Sequence, residues 1–320
     1  MITVYVYQNG ETALVDRVEP EWLEPDSPAT LWVDIANPGA EGNRLLSDTF
    51  KFHQLSVEDA LSAVQFPKIE PYPGYLYIVL HGVDFKKGQT QFATHDVDFF
   101  LGRNYLVTVH DGSSRSIEKI RALCSRHEGI LREGAVGIFH RIVDSMVDNY
   151  RPAVEELEGR ISRLEEQAFI GEDRMVRRVL KLKHELSSMR RVLMPQRDAI
   201  ARFARREFAA ISDEMAFRFR DVHDQLLRYA EEAIIFQDRV TGILEVNLST
   251  ISNRLNQVMK VLTVMSTIFL PLTVLTGMWG MNIELPRFPG GDAAQFWWVA
   301  AIMLGISLAM LGVFRRLRWI

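Results

Sequence analysis

Asn256, Met259, Leu262, Ser266, Leu270, Thr273 and Gly277 recur at spacings of three and four, so on a helix they share one face. Asn256 and Thr273 bring an amide and a hydroxyl to that face, while Met259, Leu262 and Leu270 bring apolar bulk. Thiolates and imidazoles are missing from the stretch. Oxygen donors without thiolate or imidazole suit a hard cation. The stretch closes at Gly280-Met281-Asn282. Taken alone the tripeptide says little, because Asn tolerates the left-handed conformation and often caps a helix. Likewise an apolar stripe often marks ordinary packing.

Chemistry is sparse elsewhere. His81, His95 and His110 fall on separate strand-like runs and lack a ligand spacing such as HExxH, so they read as structural or surface residues. The single cysteine, Cys124, excludes an intrachain disulfide and a Cys-based metal site; it reads as a small buried hydrophobe. GxGxxG and GxxxxGK[ST] do not occur, which leaves nucleotide binding, or any organic cofactor, without local support. A net charge of -4 gives no reason to expect nucleic acid as a partner.

The elements that must position these residues begin with the apolar tail. The chain of 320 residues is 48% hydrophobic and 24% charged, but this average hides a gradient. No charge appears between Lys260 and Glu284, and a second uncharged stretch runs from Ala293 to Phe314. Each is about twenty residues long, the length of a helix that crosses a bilayer. Between them Pro286, Pro289, Gly290 and Gly291 mark a turn segment that carries Glu284, Arg287 and Asp292. Arg254 and Lys260 precede the first stretch, and Arg315, Arg316 and Arg318 follow the second. Positive charge stays on the cytoplasmic side, so both termini are expected inside and the loop outside. Trp279, Trp297 and Trp298 then fall at the outer interface and Trp319 at the inner one. The opening MITVYVYQNG has no basic segment followed by an apolar run, and reads as a mature cytoplasmic N-terminus. Two helices cannot enclose a polar path alone, so ion passage requires several copies around an axis.

Before the tail, Ile2–Tyr7, Thr30–Ile35, Tyr75–Val83, Asp96–Leu101 and Tyr105–His110 are short β-branched or aromatic runs. Polar helical segments, Gly42–Thr49 and Val57–Val64 among them, alternate with these runs, and Ser114 reads as the N-cap of a helix near Ile117–His127. Strand signals cease at about Val136. Val154, Leu157, Ile161 and Leu164 then form a helical seam. A break is expected at Phe169–Asp173, and Pro195 should kink or interrupt the following helix. A last helical pattern starts near Asp213 and runs into the first apolar stretch. The fold class is thus an α+β membrane protein: a cytoplasmic α/β domain with a mixed sheet, a long helical stalk and two C-terminal transmembrane helices. The expected divisions are 1–135 (α/β domain), 136–212 (helical hairpin), 213–260 (stalk), 261–281 (first span), 282–294 (outer loop), 295–314 (second span) and 315–320 (basic tail).

Gly280-Met281-Asn282, standing at the outer end of a long helix and followed by a short loop and a terminal helix, resembles the CorA family of magnesium transporters. Asn256-Gln257-Val258-Met259-Lys260-Val261-Leu262-Thr263 and Phe269-Leu270-Pro271-Leu272-Thr273 are similar to the family's pore helix. Gln65-Phe66-Pro67-Lys68-Ile69-Glu70, Tyr75-Leu76-Tyr77-Ile78-Val79-Leu80 and Val147-Asp148-Asn149-Tyr150 are similar to its cytoplasmic domain. The resemblance covers essentially the whole chain. It implies a funnel-shaped homopentamer in the inner membrane, with the Asn256–Gly277 face lining a pore and Gly280, Met281 and Asn282 forming its selectivity filter. Mg²⁺ is then both the transported ion and a cytoplasmic regulator. A ring of Asn282 amides would hold the hydrated ion through its waters, and Met259, Leu262 and Leu270 would gate by dewetting. Asp221, in Phe219-Arg220-Asp221-Val222, matches a regulatory position, with Asp84 as first candidate partner and Asp144 as second. The loop departs from the family's acidic pattern: Glu284 and Asp292 attract cations, but Arg287 opposes them. Zn²⁺, Co²⁺ or Ni²⁺ transport on the same architecture, and a membrane scaffold that has lost transport, are the competing readings; an enzyme is not expected.

Overall fold

The computed structural model describes residues 1–24, 26–62, 66–83, 94–125, 129–168, 173–281, 289 and 291–319. The chain divides into two compact units. Met1–Gln167 and Arg174–Leu244 form the first, and Ala168–Asp173 and Glu245–Ile320 the second.

The first unit is built on a seven-stranded sheet of β1 (Ile2–Gln8), β2 (Glu11–Val15), β3 (Thr30–Ala36), β4 (Lys68–Tyr72), β5 (Tyr75–Val83), β6 (Thr94–Gly102) and β7 (Tyr105–His110). Its order is β2-β1-β3-β7-β6-β5-β4. The sheet is mixed: β3 and β7 run parallel, with Leu31 opposite Tyr105, and the other pairs are antiparallel. Five strands coincide with the apolar runs. β2 and β4, the two edges, do not. Edge strands are covered on one side at most and need no strong pattern. Both are held by tight turns. Asn9 (φ 56°) and Gly10 (φ 90°) join β1 to β2, the left-handed pair that two-residue hairpins favour. Pro73 and Gly74 (φ 88°) join β4 to β5.

Alternation along the strands gives the sheet two buried faces. Val33, Ile35, Tyr77, Val79, Phe100 and Val107 point to one, where Phe52, Val57 and Ala60 cover them. The latter pair belongs to α2 (Gln54–Leu61), which starts three residues before the segment read from the sequence. The cause is its cap: His53 Nδ1 accepts from the Leu55 amide at 3.2 Å, a role seldom taken by His. Trp32, Ile78, Leu80 and Phe99 point to the other face. There α4 (Gly134–Asp148) packs, with Phe139 edge-on to Phe99 at 5.1 Å. Between these helices in the chain lies α3 (Arg115–Cys124), and the short α1 (Ala40–Arg44) precedes both. Ser114 does stand at the α3 N-cap, but its buried hydroxyl makes no capping bond.

The helices α5 (Tyr150–Ala168), α6 (Asp173–Ala204) and α7 (Asp213–Trp279) follow. Phe139, Phe203 and Phe219 lie 4.9–5.7 Å apart and join α4, α6 and the first turns of α7. Of the kink or interruption expected at Pro195, the interruption does not occur, since α6 passes through it. The next residue anchors that stretch to the sheet: Gln196, fully buried, accepts from the His81 amide through Oε1 at 2.8 Å. Packing here outweighs the helix hydrogen bond that proline forfeits. The break expected at Phe169–Asp173 falls largely on residues 169–172, outside the described residues.

The second unit holds the later part of α7 and α8 (Gly291–Arg316). Two stretches, one within α7 and one at Ala294–Arg316, are long and apolar enough to cross a membrane.

Candidate functional site

Within the second unit, α7 has two unlike faces. Val264, Thr267, Ile268, Pro271, Leu272, Leu275 and Trp279 are partly covered, a stripe spaced by three and four. On α8 the matching stripe is Val299, Met303, Ile306, Met310 and the buried Phe314. The two spans run antiparallel, because the chain returns to the point where the first began. Lys260 Nζ donates to the Arg318 carbonyl at 3.1 Å and lies 5.9 Å over the Trp319 ring. Lys260 and the terminal arginines therefore share one end of the hairpin, as the charge pattern predicts.

The other face of α7 is bare. Asn256, Met259, Leu262, Ser266, Leu270, Thr273 and Gly277 are all exposed, Leu270 at 66%. Thr273 Oγ1 donates to the Phe269 carbonyl at 2.9 Å. That bond spends its only hydrogen, so what the hydroxyl offers outward is lone pairs, an acceptor for water around a cation. At the helix end the Gly280 amide donates to the Thr276 carbonyl at 2.9 Å. A Cβ at Gly280 would stand 3.1 Å from that oxygen, a close approach that the carbonyl would have to ease by a few tenths of an ångström. Met281 is exposed. Asn282 and Glu284 lie outside the described residues.

The family model for the CorA-like Mg²⁺ transporter protein matches residues 28–316. The chain belongs to the CorA family. It is 31% identical to the putative metal ion transporter YfjQ of Bacillus subtilis, over 93% of either chain. It is 30% identical to the cobalt/magnesium transport protein CorA of Thermotoga maritima, over 92% of this chain and 85% of that one. The structure of CorA from Methanocaldococcus jannaschii superposes with a TM-score of 0.84, covering 100% of this chain and 99% of that chain at 21% identity. That likeness shows a shared fold: an α/β domain with a mixed sheet, a long helix and two candidate membrane spans.

In this CorA-family chain the three regulatory candidates fare differently. Asp84 lies outside the described residues. Asp221 is exposed on α7, where Gln225 Nε2 donates to it at 3.3 Å. Asp144, on α4, is half-buried. α4 meets α7 through His140, edge-on to Phe219 at 5.0 Å, and this contact brings the two carboxylates into mutual range. Burial, reinforced by Asp148 and Asp221, pushes the Asp144 carboxyl up from its ordinary value. Among the described residues no group of three or more His, Cys, Asp or Glu could hold a metal ion.

Two of the histidines, His81 and His110, are buried in the sheet unit. His110 Nε2 lies 3.1 Å from the buried Asp34, which also accepts from Thr108 Oγ1 at 2.7 Å. Arg121 of α3 approaches the same carboxylate at 3.5 Å. The His81 carbonyl accepts from Tyr150 at 2.9 Å. Sequence reading did not find Asp34, nor the buried Asp98 that accepts from the Tyr77 hydroxyl. An Asp inside a strand of otherwise apolar residues, as in Thr30–Ala36, was the available signal. Cys124 is buried as expected, and burial pushes its thiol up to about 12.

Proposed function

We propose that this divalent-cation transporter carries Mg²⁺ inward across the cell's inner membrane, driven by the membrane potential and restrained by cytoplasmic Mg²⁺. Five copies surround one axis, with both termini of each in the cytoplasm. The observation that carries the proposal is the bare α7 face. Asn256, Ser266 and Thr273 are exposed along a stretch long enough to span a bilayer, on the side away from the stripe that α8 matches. Polar groups facing lipid are costly. Enclosing them around an axis removes that cost and leaves an aqueous path lined by oxygen acceptors.

Mg²⁺ holds six waters tightly and gives them up reluctantly. Acceptors such as Thr273 Oγ1 and the Asn282 amide would bind the ion through those waters, and so select on the size and charge of the hydrated species. Leu262 and Leu270 would form the apolar girdle that closes the path when it dries. Two charges crossing a potential of roughly 100 mV gain about 4.6 kcal/mol, enough to drive uptake without nucleotide hydrolysis. Asp221, facing Asp144 or Asp84 of the same or a neighbouring copy, would bind the regulatory cation. The expected division into domain, hairpin, stalk, spans and outer loop belongs to this proposal, as does Glu284 in the loop as an attractor of cations.

The test is uptake into liposomes loaded with a Mg²⁺ indicator, with the potential set by a K⁺ gradient. Mg²⁺ should enter in proportion to the potential, and Asn282→Ala should abolish entry without altering melting temperature. Admission of no divalent ion by the parent protein rejects transport. Preference for Zn²⁺, Co²⁺ or Ni²⁺ in competition rejects the assignment of Mg²⁺.

A further inference from the structure

In the first unit a cavity of about 240 Å³ opens between α5 and α6, lined by Arg160, Arg163, Leu164, Gln167, Arg178 and Lys181. We propose that it binds a phosphate-bearing anion. The proposal does not depend on the transport reading.

Four of the six lining residues are cations, and two of the four are already neutralised. Arg160 makes a two-pronged pair with the nearly buried Glu185, at 2.6 and 3.1 Å. Arg163 reaches Glu156 at 3.1 Å. Arg178 and Lys181 have no carboxylate partner among the described residues. Arg178 Nη1 donates instead to the Gln167 amide oxygen at 3.0 Å. That bond fixes the guanidinium plane at the rim and leaves its remaining N–H groups free for another acceptor.

A solvated basic surface would also show unpaired cations, but two features separate this place from one. First, it is concave and has a nearly buried apolar floor, Leu164. Second, α6 concentrates charge that its fold does not use. Between Asp173 and Glu185 the sequence holds Arg174, Arg177, Arg178, Lys181 and Lys183 and no carboxylate. Within the cavity lining Arg178 and Lys181 stand three apart, a spacing at which like charges destabilise a helix. A bound anion removes that repulsion.

The donor set defines the anion. A planar guanidinium beside a mobile ammonium suits a tetrahedral oxyanion that accepts several charge-assisted hydrogen bonds. At about 30 Å³ per water, the cavity has room for about eight waters, which is a phosphate or diphosphate group with part of its hydration shell. A whole nucleotide exceeds it, so the rest of a larger ligand would extend outside. The phosphate could be that of a free anion or of a lipid headgroup.

Full-length protein in detergent, in metal-free buffer so that chelation contributes no heat, is titrated calorimetrically with inorganic pyrophosphate and separately with soluble short-chain phosphatidylglycerol. Arg178→Ala/Lys181→Ala should weaken binding at least about tenfold. Arg177→Ala/Lys183→Ala removes the same charge from exposed positions outside the cavity, and should leave affinity nearly unchanged. All four residues are exposed, and matched melting curves confirm folding. This pattern with pyrophosphate assigns a free phosphate anion; the pattern with phosphatidylglycerol alone assigns a lipid phosphate. Absence of binding by the parent protein to either, or equal weakening in both double variants, overturns the site.

Discussion

Replacing Asp98 by Asn should flatten the pH dependence of stability in the sheet unit. Asp98 sits on β6 at 5% exposure and accepts from the Tyr77 hydroxyl. Burial pushes its carboxyl from 3.8 to about 7. The folded-state value lies above that of the unfolded chain, so between these two pH values the folded protein holds a proton that the unfolded chain has lost. The contribution is fully present below about pH 4, falls as pH rises, and is gone above about pH 7. Each unit in that window is worth 1.36 kcal/mol, so the fall from pH 5 to pH 7 is at most about 2.7 kcal/mol. Asn still accepts from Tyr77 but carries no charge at either pH. The stability gap between variant and parent should therefore widen in favour of Asn by about 1–3 kcal/mol from pH 5 to pH 8. For a unit of this size that is roughly 2–12 °C in melting temperature. Thermal unfolding of both proteins in detergent, followed by tryptophan fluorescence, reads the shift; Trp32 is fully buried in the same sheet. Should the offset be equal at the two pH values, Asp98 does not hold its proton and the burial argument fails.

Other perturbations have equally definite outcomes. Glu185→Ala leaves Arg160 without its buried partner and should cost about 3 kcal/mol in denaturant titration, while Arg160→Leu/Glu185→Leu should recover most of it. Leu270→Ser puts a hydroxyl into the proposed apolar girdle and should raise resting Mg²⁺ leak into liposomes; unchanged leak rejects a gating role for that ring. Asp221→Ala should weaken inhibition by internal Mg²⁺ in the same flux assay, and full inhibition would remove it from the regulatory site. Cys124 should resist maleimide labelling in native protein at neutral pH and react once unfolded, since burial keeps its thiol protonated.

Much of the architecture was legible because membrane helices and buried strands write long, uniform patterns. The stretch from Lys260 to Glu284 lacks charge for one reason only, the cost of charge in hydrocarbon. Tyr75–Leu80 is apolar or aromatic throughout because both faces of that interior strand are covered. Edge strands β2 and β4 were missed because one-sided cover asks little of a sequence, although Asn9-Gly10 was a hairpin signal in plain view. The α2 boundary was missed because a His cap is rare. Pro195 does not end α6, and the tertiary contact that Gln196 makes beside it is invisible to local preference.

The sequence by itself determined two apolar spans, their charged ends and the shared face from Asn256 to Gly277, since hydropathy and helical period are properties of residue order. Only the tertiary structure decided which face of α7 is covered and which is left bare. It also decided that Lys260 meets Arg318, that Asp144 comes within range of Asp221, and that Arg178 and Lys181 line one cavity with Arg160. These pairs are far apart in the chain. Their proximity is set by how helices pack, and no local pattern encodes it.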